Sequence, residues 1–398
     1  MEPFQNPFRP GAGQKPPYLA GRNAEQREFL KLLSQPVVLE NLIITGLRGV
    51  GKTSLLDSLQ PIAINENWIW AGTDLSESAS LSEKNLSIRI ITDLSSITST
   101  FEVSEILKNK IGFTNQKEKI SINADYNFLT QIYNTTNGLE SDKLKAVLET
   151  VWIIVKDKVK GIVLAYDEAQ ILKDQAQDKE YPLSLLLEVT QYLQRKNIPY
   201  LLVLTGLPTL FPNLVDTRTY AERMFHVLHL DKLNDDESKE AIIKPTRVES
   251  CPVSFDVDAT NNIIKYSGGY PYFIQFLCKE TFDSYIFQTK LEIVNPVIRL
   301  DDVIRKLDTD FYAGRWAKIT DSQRSLMIVI SKLENAEYEF TVQDITEKSK
   351  EISKKPLSAS SINQHLNKLA DCGLIYKFRH GKYSFAVPML SGFIRRQI

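Results

Sequence analysis

The sequence predicts an α/β fold in which a parallel β-sheet carries helices on both faces. Three observations predict it. An apolar run at residues 42–44 leads into the glycine-rich stretch GLRGVGKT and then into a helical pattern. A second apolar run, in GIVLAYDE, ends in two acids, and a third, YLLVLTG, begins at Tyr200 after the helical pattern PLSLLLEVTQYLQRKN. Strand, helix and strand in succession indicate parallel strands joined by crossover helices.

Two local patterns follow the glycine-rich loop. Pro61 predicts the end of the helix that begins there. Residues from about 75 to 141 are rich in Ser, Thr, Asn and charge, and we expect a surface elaboration of the core in which the alternating stretch LSIRI forms a strand.

Composition is that of a globular protein. The chain has 398 residues, of which 43% are hydrophobic and 24% are charged, and this length suits about two or three domains. No apolar run approaches the ~18 residues that span a bilayer, and the first residues lack the pattern of a signal peptide. We therefore expect a cytoplasmic protein. Its three cysteines are far apart in the chain and predict no zinc site.

The stretch from Gly46 to Thr53 fits the pattern G-x-x-x-x-G-K-[ST]. Its glycines let backbone N–H groups surround phosphate oxygens, Lys52 reaches the β- and γ-phosphates, and the Thr53 hydroxyl is a ligand for Mg²⁺. A tight glycine-rich turn without a ligand is the alternative. The predicted nucleotide-binding residues here are Gly46, Gly49, Val50, Gly51, Lys52, Thr53 and Ser54.

Two neighbouring acids end the second apolar run. Behind a phosphate-binding loop, we expect Asp167 to hold Mg²⁺ through water and Glu168 to polarise the attacking water as a catalytic residue. A turn or a helix cap is the alternative. Thr205, at the end of the third run, either senses the γ-phosphate or merely closes its strand.

Arginines precede the next strand-like run, FHVLHL. Arg218 and Arg223 are candidates for stabilising the transition state of phosphoryl transfer, in cis or from a neighbouring subunit, and Arg223 is preferred. Together with Lys52 and Glu168, it completes the predicted catalytic set. Solvated surface arginines are the alternative.

These stretches, GLRGVGKT, LAYDEA, LLVLTG and an arginine before a strand, resemble the AAA+ superfamily of P-loop NTPases (AAA+/ASCE-type). The branch is the one shared by ORC/Cdc6-type, archaeal and STAND ATPases. The resemblance implies ATP and Mg²⁺ as cofactors, a helical lid after the sheet, and a nucleotide-dependent homo-oligomer. The segment PPYLAGRNAEQREFL is similar to the one that packs over adenine in that branch, which implies that Leu19, Gly21 and Arg22 line the adenine pocket.

The stretch KYSGGYPYFIQFL resembles the G-x-P motif of STAND and related ATPases. The resemblance implies that Pro271 abuts the adenine ring, although proline in the first turn of a helix needs no ligand to explain it. Many AAA+ proteins carry a sensor arginine here. Its absence indicates slow turnover.

Three helical patterns, in RWAKITDSQRSLMIVIS, FTVQDITEKS and LSASSINQHLNKLADCGLI, and an alternating stretch that turns at His380–Gly381 predict a C-terminal winged helix-turn-helix. Ser358 is expected to cap the third helix, which places Ile362, Leu366 and Leu369 on one face. From Arg315 onward, fourteen Lys and Arg face eight Asp and Glu, whereas the rest of the chain carries 34 against 41. Residues suited to bases and phosphates are Ser360, Ser361, Asn363, Gln364, Asn367, Lys377, Arg379 and Lys382. A clamp within the protein, or a protein-binding surface, is the alternative use of this module.

We therefore expect an ATP-binding and hydrolysing switch whose nucleotide state controls engagement of a protein partner. A DNA-binding initiator or loader that uses its winged helix on duplex DNA is the alternative. The predicted domains are an adenine-side segment (1–34), an ATPase core (35–235), a helical lid (236–312) and a winged helix-turn-helix (313–398).

Overall fold

A computed structural model describes residues 4–11, 13–103, 122–175, 177–248, 251–293, 298–352, 356–379 and 381–398. The chain divides into two compact units. The sheet unit contains Asn23–Thr45 and Leu55–His229, and the C-terminal unit contains Met1–Arg22, Gly46–Ser54 and Leu230–Ile398. The four domain boundaries proposed above stay predictions.

The sheet unit is built on five parallel strands in the order β2-β5-β6-β1-β7. These strands are β1 (Asn41–Thr45), β2 (Trp68–Ala71), β5 (Gly161–Tyr166), β6 (Tyr200–Gly206) and β7 (Phe225–His229). A separate antiparallel pair is formed by β3 (Glu102–Val103) and β4 (Ile122–Asn123). All residues of β1, β5 and β6 are buried, as expected for strands covered on both faces. The predicted α/β fold with a parallel sheet is confirmed.

Helices connect the strands and enclose the core. They are α1 (Asn23–Leu33), α2 (Lys52–Asn65, whose first residues belong to the C-terminal unit), α3 (Glu83–Thr98), α4 (Tyr126–Thr135), α5 (Glu140–Val155), α6 (Pro182–Arg195) and α7 (Leu210–Thr217). The predicted strand–helix–strand succession β5-α6-β6 is confirmed.

Two local predictions in this unit are wrong. The stretch LSIRI, expected to be a strand on a surface elaboration, lies within α3, whose buried Leu86, Ile90 and Leu94 repeat at helical spacing behind the N-cap Ser82. Pro61, expected to end the helix after the glycine-rich loop, lies inside α2, which continues to Asn65.

The C-terminal unit contains helices and one β-hairpin. Its helices are α8 (Asp235–Ile243), α9 (Val257–Ser267), α10 (Pro271–Lys290), α11 (Leu300–Leu307), α12 (Gly314–Ala317), α13 (Asp321–Ser331), α14 (Val342–Ile352), α15 (Ala359–Asp371) and α16 (Leu390–Arg396). A π-helical segment, Asp308–Ala313, joins α11 to α12. The hairpin is formed by β8 (Ile375–Arg379) and β9 (Lys382–Phe385). Within the described residues, no helix combines the length and apolar character needed to cross a membrane.

Helices α13, α14 and α15 precede the hairpin in the predicted order. The Ser358 side chain caps α15 by accepting from the Ser361 N–H, and Ile362, Leu366 and Leu369 are fully buried on one face, as predicted. The single helix expected from RWAKITDSQRSLMIVIS is instead interrupted, because Thr320 caps a new helix. At the predicted hairpin turn, His380 lies outside the described residues.

Candidate functional site

The glycine-rich loop adopts a backbone that requires its glycines. Gly49 and Gly51 have φ of 80° and 89°, in the left-handed region that side chains disfavour. A Cβ at Gly46 would lie 2.5 Å from the carbonyl oxygen of Leu230, so this position has no room for a side chain. The glycines of the motif are therefore explained by the backbone conformation as well as by the chemistry of phosphate binding.

Two carbonyl groups of the loop accept hydrogen bonds from residues that are distant in the sequence. The Tyr272 N–H donates to the Gly49 oxygen at 3.1 Å, and an Arg22 Nη2 donates to the Val50 oxygen at 2.9 Å. In a trans peptide the N–H points away from the C=O, so the amides of Val50 and Gly51 face the opposite side. The first N–H groups of α2 follow directly and have no partner within the helix. Such a series of amides is suited to an anion.

Lys52 is the charged residue of the loop. Its side chain is 9% exposed, and its ammonium group donates to the carbonyl oxygens of Gly46 and Leu47, both at 3.0 Å. The loop thus positions the cation through its own backbone. Thr53 and Ser54, which follow in the first turn of α2, are half-buried.

Arg22 bridges three segments of the C-terminal unit. It is only 5% exposed, and it donates to the Val50 oxygen in the loop and, at 2.8 Å, to the Asp231 oxygen after β7. The resemblance implied that it lines an adenine pocket, whereas these hydrogen bonds are made to protein carbonyl groups. Leu19, implied for the same pocket, is half-buried.

Pro271 is the first residue of α10 and lies beside the loop. A Cβ at Gly51 would be 3.9 Å from the Pro271 Cγ. Both interpretations of this proline, a contact with adenine and an ordinary first-turn position, remain compatible with that location.

In the sheet unit, the two predicted acids and Thr205 lie at the carboxyl ends of the adjacent strands β5 and β6. Asp167 follows β5 and is 3% exposed. Its Oδ1 accepts hydrogen bonds from the Thr205 hydroxyl at the end of β6 and, at 2.7 Å, from the Glu168 N–H. The sheet therefore brings Asp167, Glu168 and Thr205 together.

Glu168 is exposed and has φ of 54°, an unusual backbone conformation for a residue with a side chain. Its carboxylate accepts a hydrogen bond from the Gln170 amide, whose oxygen accepts from the Leu207 N–H at 3.0 Å. Sequence reasoning missed Gln170. It is fixed by a residue that follows a different strand, and no local motif indicates that contact.

Asp74 is a further acid that sequence reasoning missed. It pairs with Asp167 in a parallel bridge beyond the end of β2. Burial, and then the negative charges of Asp167, Glu168 and Asp57, raise the pKa of Asp74 above its usual value of 3.8. This edge of the sheet therefore concentrates negative charge and favours a bound cation.

Arg223 precedes β7 and so lies at the amino ends of the parallel strands, opposite the acids at their carboxyl ends. It is exposed and ends the 3-10 turn Thr219–Arg223 before β7, whereas Asp167 follows the carboxyl end of β5. Because the strands are parallel and each residue advances about 3.3 Å, β7 separates Arg223 from the acidic edge. Its predicted action in cis is incompatible with this placement, and an action in trans stays a prediction. Arg218 is exposed in the same connection between α7 and β7.

Most residues predicted to contact DNA are accessible in the C-terminal unit. Ser361 and Lys382 are half-buried, and the Arg379 side chain lies outside the described part of the structure. The exposed members of the set are Ser360, Asn363, Gln364, Asn367 and Lys377. On α15 they lie away from its buried apolar face.

Comparison with known proteins identifies the fold. Residues 309–394 match a family described as a domain of unknown function (DUF8462). No curated protein matches the chain. Among solved structures, the Walker-type ATPase of Pyrococcus abyssi is 17% identical, with a TM-score of 0.58 over 95% of this chain and 96% of that one. The ORC2 protein of Aeropyrum pernix, in its ADP form, is 13% identical, with a TM-score of 0.56 over 98% and 97%. The chain has the fold of the AAA+ ORC/Cdc6-like P-loop ATPases.

Replacing Arg22 by alanine should destabilise the protein even without nucleotide. The change removes charged donors from two carbonyl groups, and each such bond contributes about 1.5–3 kcal/mol, so we expect a loss on the order of 3 kcal/mol. Urea denaturation followed by circular dichroism measures it. Arg27→Ala, at an exposed position of α1, is the control, and an equal effect of both variants would contradict the bridging role.

Asp74→Asn should stabilise the protein near neutral pH. A carboxyl group whose pKa is raised by folding weakens the folded state increasingly as the pH rises through that pKa. The gain should therefore be present at about pH 7, decline as the pH falls, and vanish only below about pH 3, where the carboxyl is protonated in both states; it should stay below about 1 kcal/mol because Asp74 is largely solvated. Denaturation midpoints at both pH values test this, with the exposed Asp178→Asn as control. A gain that does not depend on pH would contradict the charge argument.

Proposed function

We propose that this chain binds ATP with Mg²⁺, hydrolyses it slowly, and acts as a switch whose nucleotide state controls engagement of a partner. The observation that carries the proposal is the loop backbone. Hydrogen bonds hold the carbonyl groups of Gly49 and Val50 on one side, and so direct the next two amides to the other, beside Lys52 and the start of α2.

Structural relatives support nucleotide binding. A structure of the Aeropyrum pernix ORC2 protein described as ADPNP–ADP complexes is 12% identical, with a TM-score of 0.52 over 98% of this chain and 97% of that one. The relative from Pyrococcus abyssi is described as a Walker-type ATPase. Both descriptions agree with nucleotide binding at the loop, which its backbone favours.

The residues present fit Mg²⁺ bound together with a nucleotide. Hydroxyl and carboxylate oxygens, here from Thr53 and Asp167, are ligands that Mg²⁺ prefers, and phosphate oxygens and water complete its shell. Among the described residues, no group of three or more His, Cys, Asp and Glu could hold a metal ion without such help. When bound, the ion would neutralise negative charge on the phosphates.

The chain's own residues divide the work of hydrolysis. Lys52 turns its ammonium group from the loop carbonyls to a phosphate. Glu168, oriented by Gln170, accepts a proton from the attacking water, whose oxygen forms the new bond to phosphorus as the bond to the ADP oxygen breaks. Thr205 holds the Asp167 carboxylate in place. We assign the positioning of Glu168 to Gln170 because its amide reaches the carboxylate directly.

The position of Arg223 is compatible with an action on the nucleotide of a neighbouring subunit. It is exposed at the edge of the sheet away from the acids, so a second copy of the chain would have to present it to the nucleotide. A nucleotide-dependent homo-oligomer would supply that arrangement. In such a switch, ATP and ADP shift the assembly only by binding its two states with different affinity.

Glu168→Gln should abolish phosphate release and preserve ATP binding. The amide cannot accept a proton, yet it keeps the size of the side chain, so we expect a loss of about 100-fold or more in turnover. Phosphate release at saturating MgATP and calorimetric titration of ATP measure the two properties.

Lys52→Ala provides the contrast, because it should weaken ATP binding itself. The exposed acid Glu222→Gln, in the same unit as Glu168, is the control and should leave both properties unchanged. Phosphate release that persists in Glu168→Gln would contradict the assigned base.

Duplex DNA is the second candidate partner. Asn363, Gln364 and Asn367 are exposed along α15, and Lys377 is exposed on the hairpin that follows. Amide side chains can read base edges, and lysines contact phosphates. This surface is the observation that favours the second candidate function, a DNA-binding initiator or loader.

Reversal of charge on the hairpin distinguishes the two partners. If DNA is bound, Lys377→Glu with Lys382→Glu should weaken retention of a labelled duplex about tenfold or more and reduce the dependence on salt. The exposed Lys318→Glu is the control. Duplex binding that is absent in the unchanged protein, or indifferent to salt, would favour a protein partner.

A further inference from the structure

A cavity of about 370 Å³ lies beside β2, which is the strand at one edge of the sheet. The residues that line it come from α2, α3, β5, and β2 with the segment after it, all within the sheet unit. None of the residues assigned to the nucleotide is among the described residues that line it. Small-molecule sites typically occupy about 300–1,000 Å³, so this cavity is large enough for a small ligand.

Apolar side chains form part of the cavity wall. Leu56 of α2 is 7% exposed, and Ile97 of α3 and Trp70 of β2 are half-buried. The Trp70 ring is held by an edge-to-face contact with Phe29 of α1, with ring centroids 6.2 Å apart. Aliphatic chains pack on such surfaces, and the face of a tryptophan ring attracts a cation. The wall therefore suits a ligand that combines a short aliphatic chain with a positive charge.

Three acidic residues also line the cavity. Asp93 of α3 is 6% exposed and accepts two hydrogen bonds from the Arg89 guanidinium, so its charge is balanced within its own helix. Asp57 of α2 and Asp74 after β2 are the other two acids of the wall. No lysine or arginine is among the described residues that line the cavity. The wall therefore attracts a cation.

The polar groups of the wall suit an organic cation better than a metal ion. In the part of the chain that the structure describes, no group of three or more His, Cys, Asp and Glu could hold a metal ion. Gln60, Thr73 and Ser96 also line the cavity, and their side chains carry oxygen acceptors. A primary ammonium group has three donors and no acceptor, so carboxylate, amide and hydroxyl oxygens can receive all of its hydrogens.

We propose that this cavity binds a primary ammonium group carried on an aliphatic chain, with the ammonium at Asp57 and Asp74 and the chain along the apolar wall. A free diamine and the lysine side chain of a protein partner both have this chemistry. The inference goes beyond the proposed function, because it involves no residue of the glycine-rich loop and requires no ATP. Because Asp74 is paired with Asp167, the ligand would contact the segment that neighbours the acid assigned to Mg²⁺.

Asp57→Asn and Asp74→Asn should each weaken binding of diaminobutane about tenfold, the effect of one charge-assisted hydrogen bond. Trp70→Leu should weaken it about threefold, because it removes the aromatic face but keeps an apolar side chain. Isothermal titration of the protein without nucleotide measures these affinities. Asp157→Asn, at an exposed position of the same unit, is the control and should bind the diamine like the unchanged protein.

Further ligands test the role of the charge and distinguish the two sources. Butanol has the same chain without an ammonium group and should not bind. N-acetyl-lysine methylamide carries the lysine side chain as its only amine. Binding as tight as that of diaminobutane would assign the site to a lysine of a partner, and weaker binding would assign it to a free diamine. Butanol that binds as tightly as diaminobutane, no binding of either ammonium ligand, or equal affinities of the unchanged protein and both asparagine variants would overturn the proposal.

Lys52→Ala separates this inference from the proposed function. It should lose ATP and bind diaminobutane like the unchanged protein, whereas loss of both ligands would overturn a separate site. If the unchanged protein binds diaminobutane but not ATP, only the proposed function fails, and in the reverse case only the inference fails. Melting temperatures check that each variant is folded. Asp74 is exposed, so Asp74→Asn keeps the test decisive if Asp57→Asn does not fold.

Discussion

The direction of two peptide groups in the glycine-rich loop is the constraint on which the account depends. The Gly49 and Val50 carbonyls are bonded to Tyr272 at the start of α10 and to Arg22 in the N-terminal segment. Since a planar peptide fixes its N–H opposite its C=O, these contacts also orient the amides that follow. Residues from distant parts of the chain thus hold the loop backbone in an arrangement that is suited to an anion.

The same contacts connect the loop to the helices of its own unit. Tyr272 contacts Gly49 with its backbone and Phe311 with its ring, and Phe311 carries the Arg315 guanidinium on its face. Packed groups thus link the loop to α12, the helix that precedes α13. Coupling through packed groups requires two discrete arrangements with different affinity for the ligand, and ATP and ADP are the ligands that would select between them.

Sequence could predict the features that depend on local pattern. The glycine spacing, the buried strands and the paired acids are each readable within a short window, and the sheet then brings Asp167 and Thr205 together. The strand expected at LSIRI failed because its alternation covers five residues, whereas the apolar spacing of α3 becomes evident only when Leu94 is included. Pro61 was misleading because a single missing N–H did not end a helix that packs along its length.

Long-range contacts could not be predicted in this way. Nothing near Arg22 in the sequence indicates that it bonds to Val50 and Asp231, and nothing near Gln170 indicates its contact with Leu207. Arg223 fitted a motif in the sequence, yet the direction of β7 places it away from the acids. Amide hydrogen exchange across residues 46–54, with and without MgATP, tests the central claim most directly. Strong protection of Val50, Gly51 and the first amides of α2 by MgATP is the predicted result, and unchanged exchange at saturating MgATP would contradict the account.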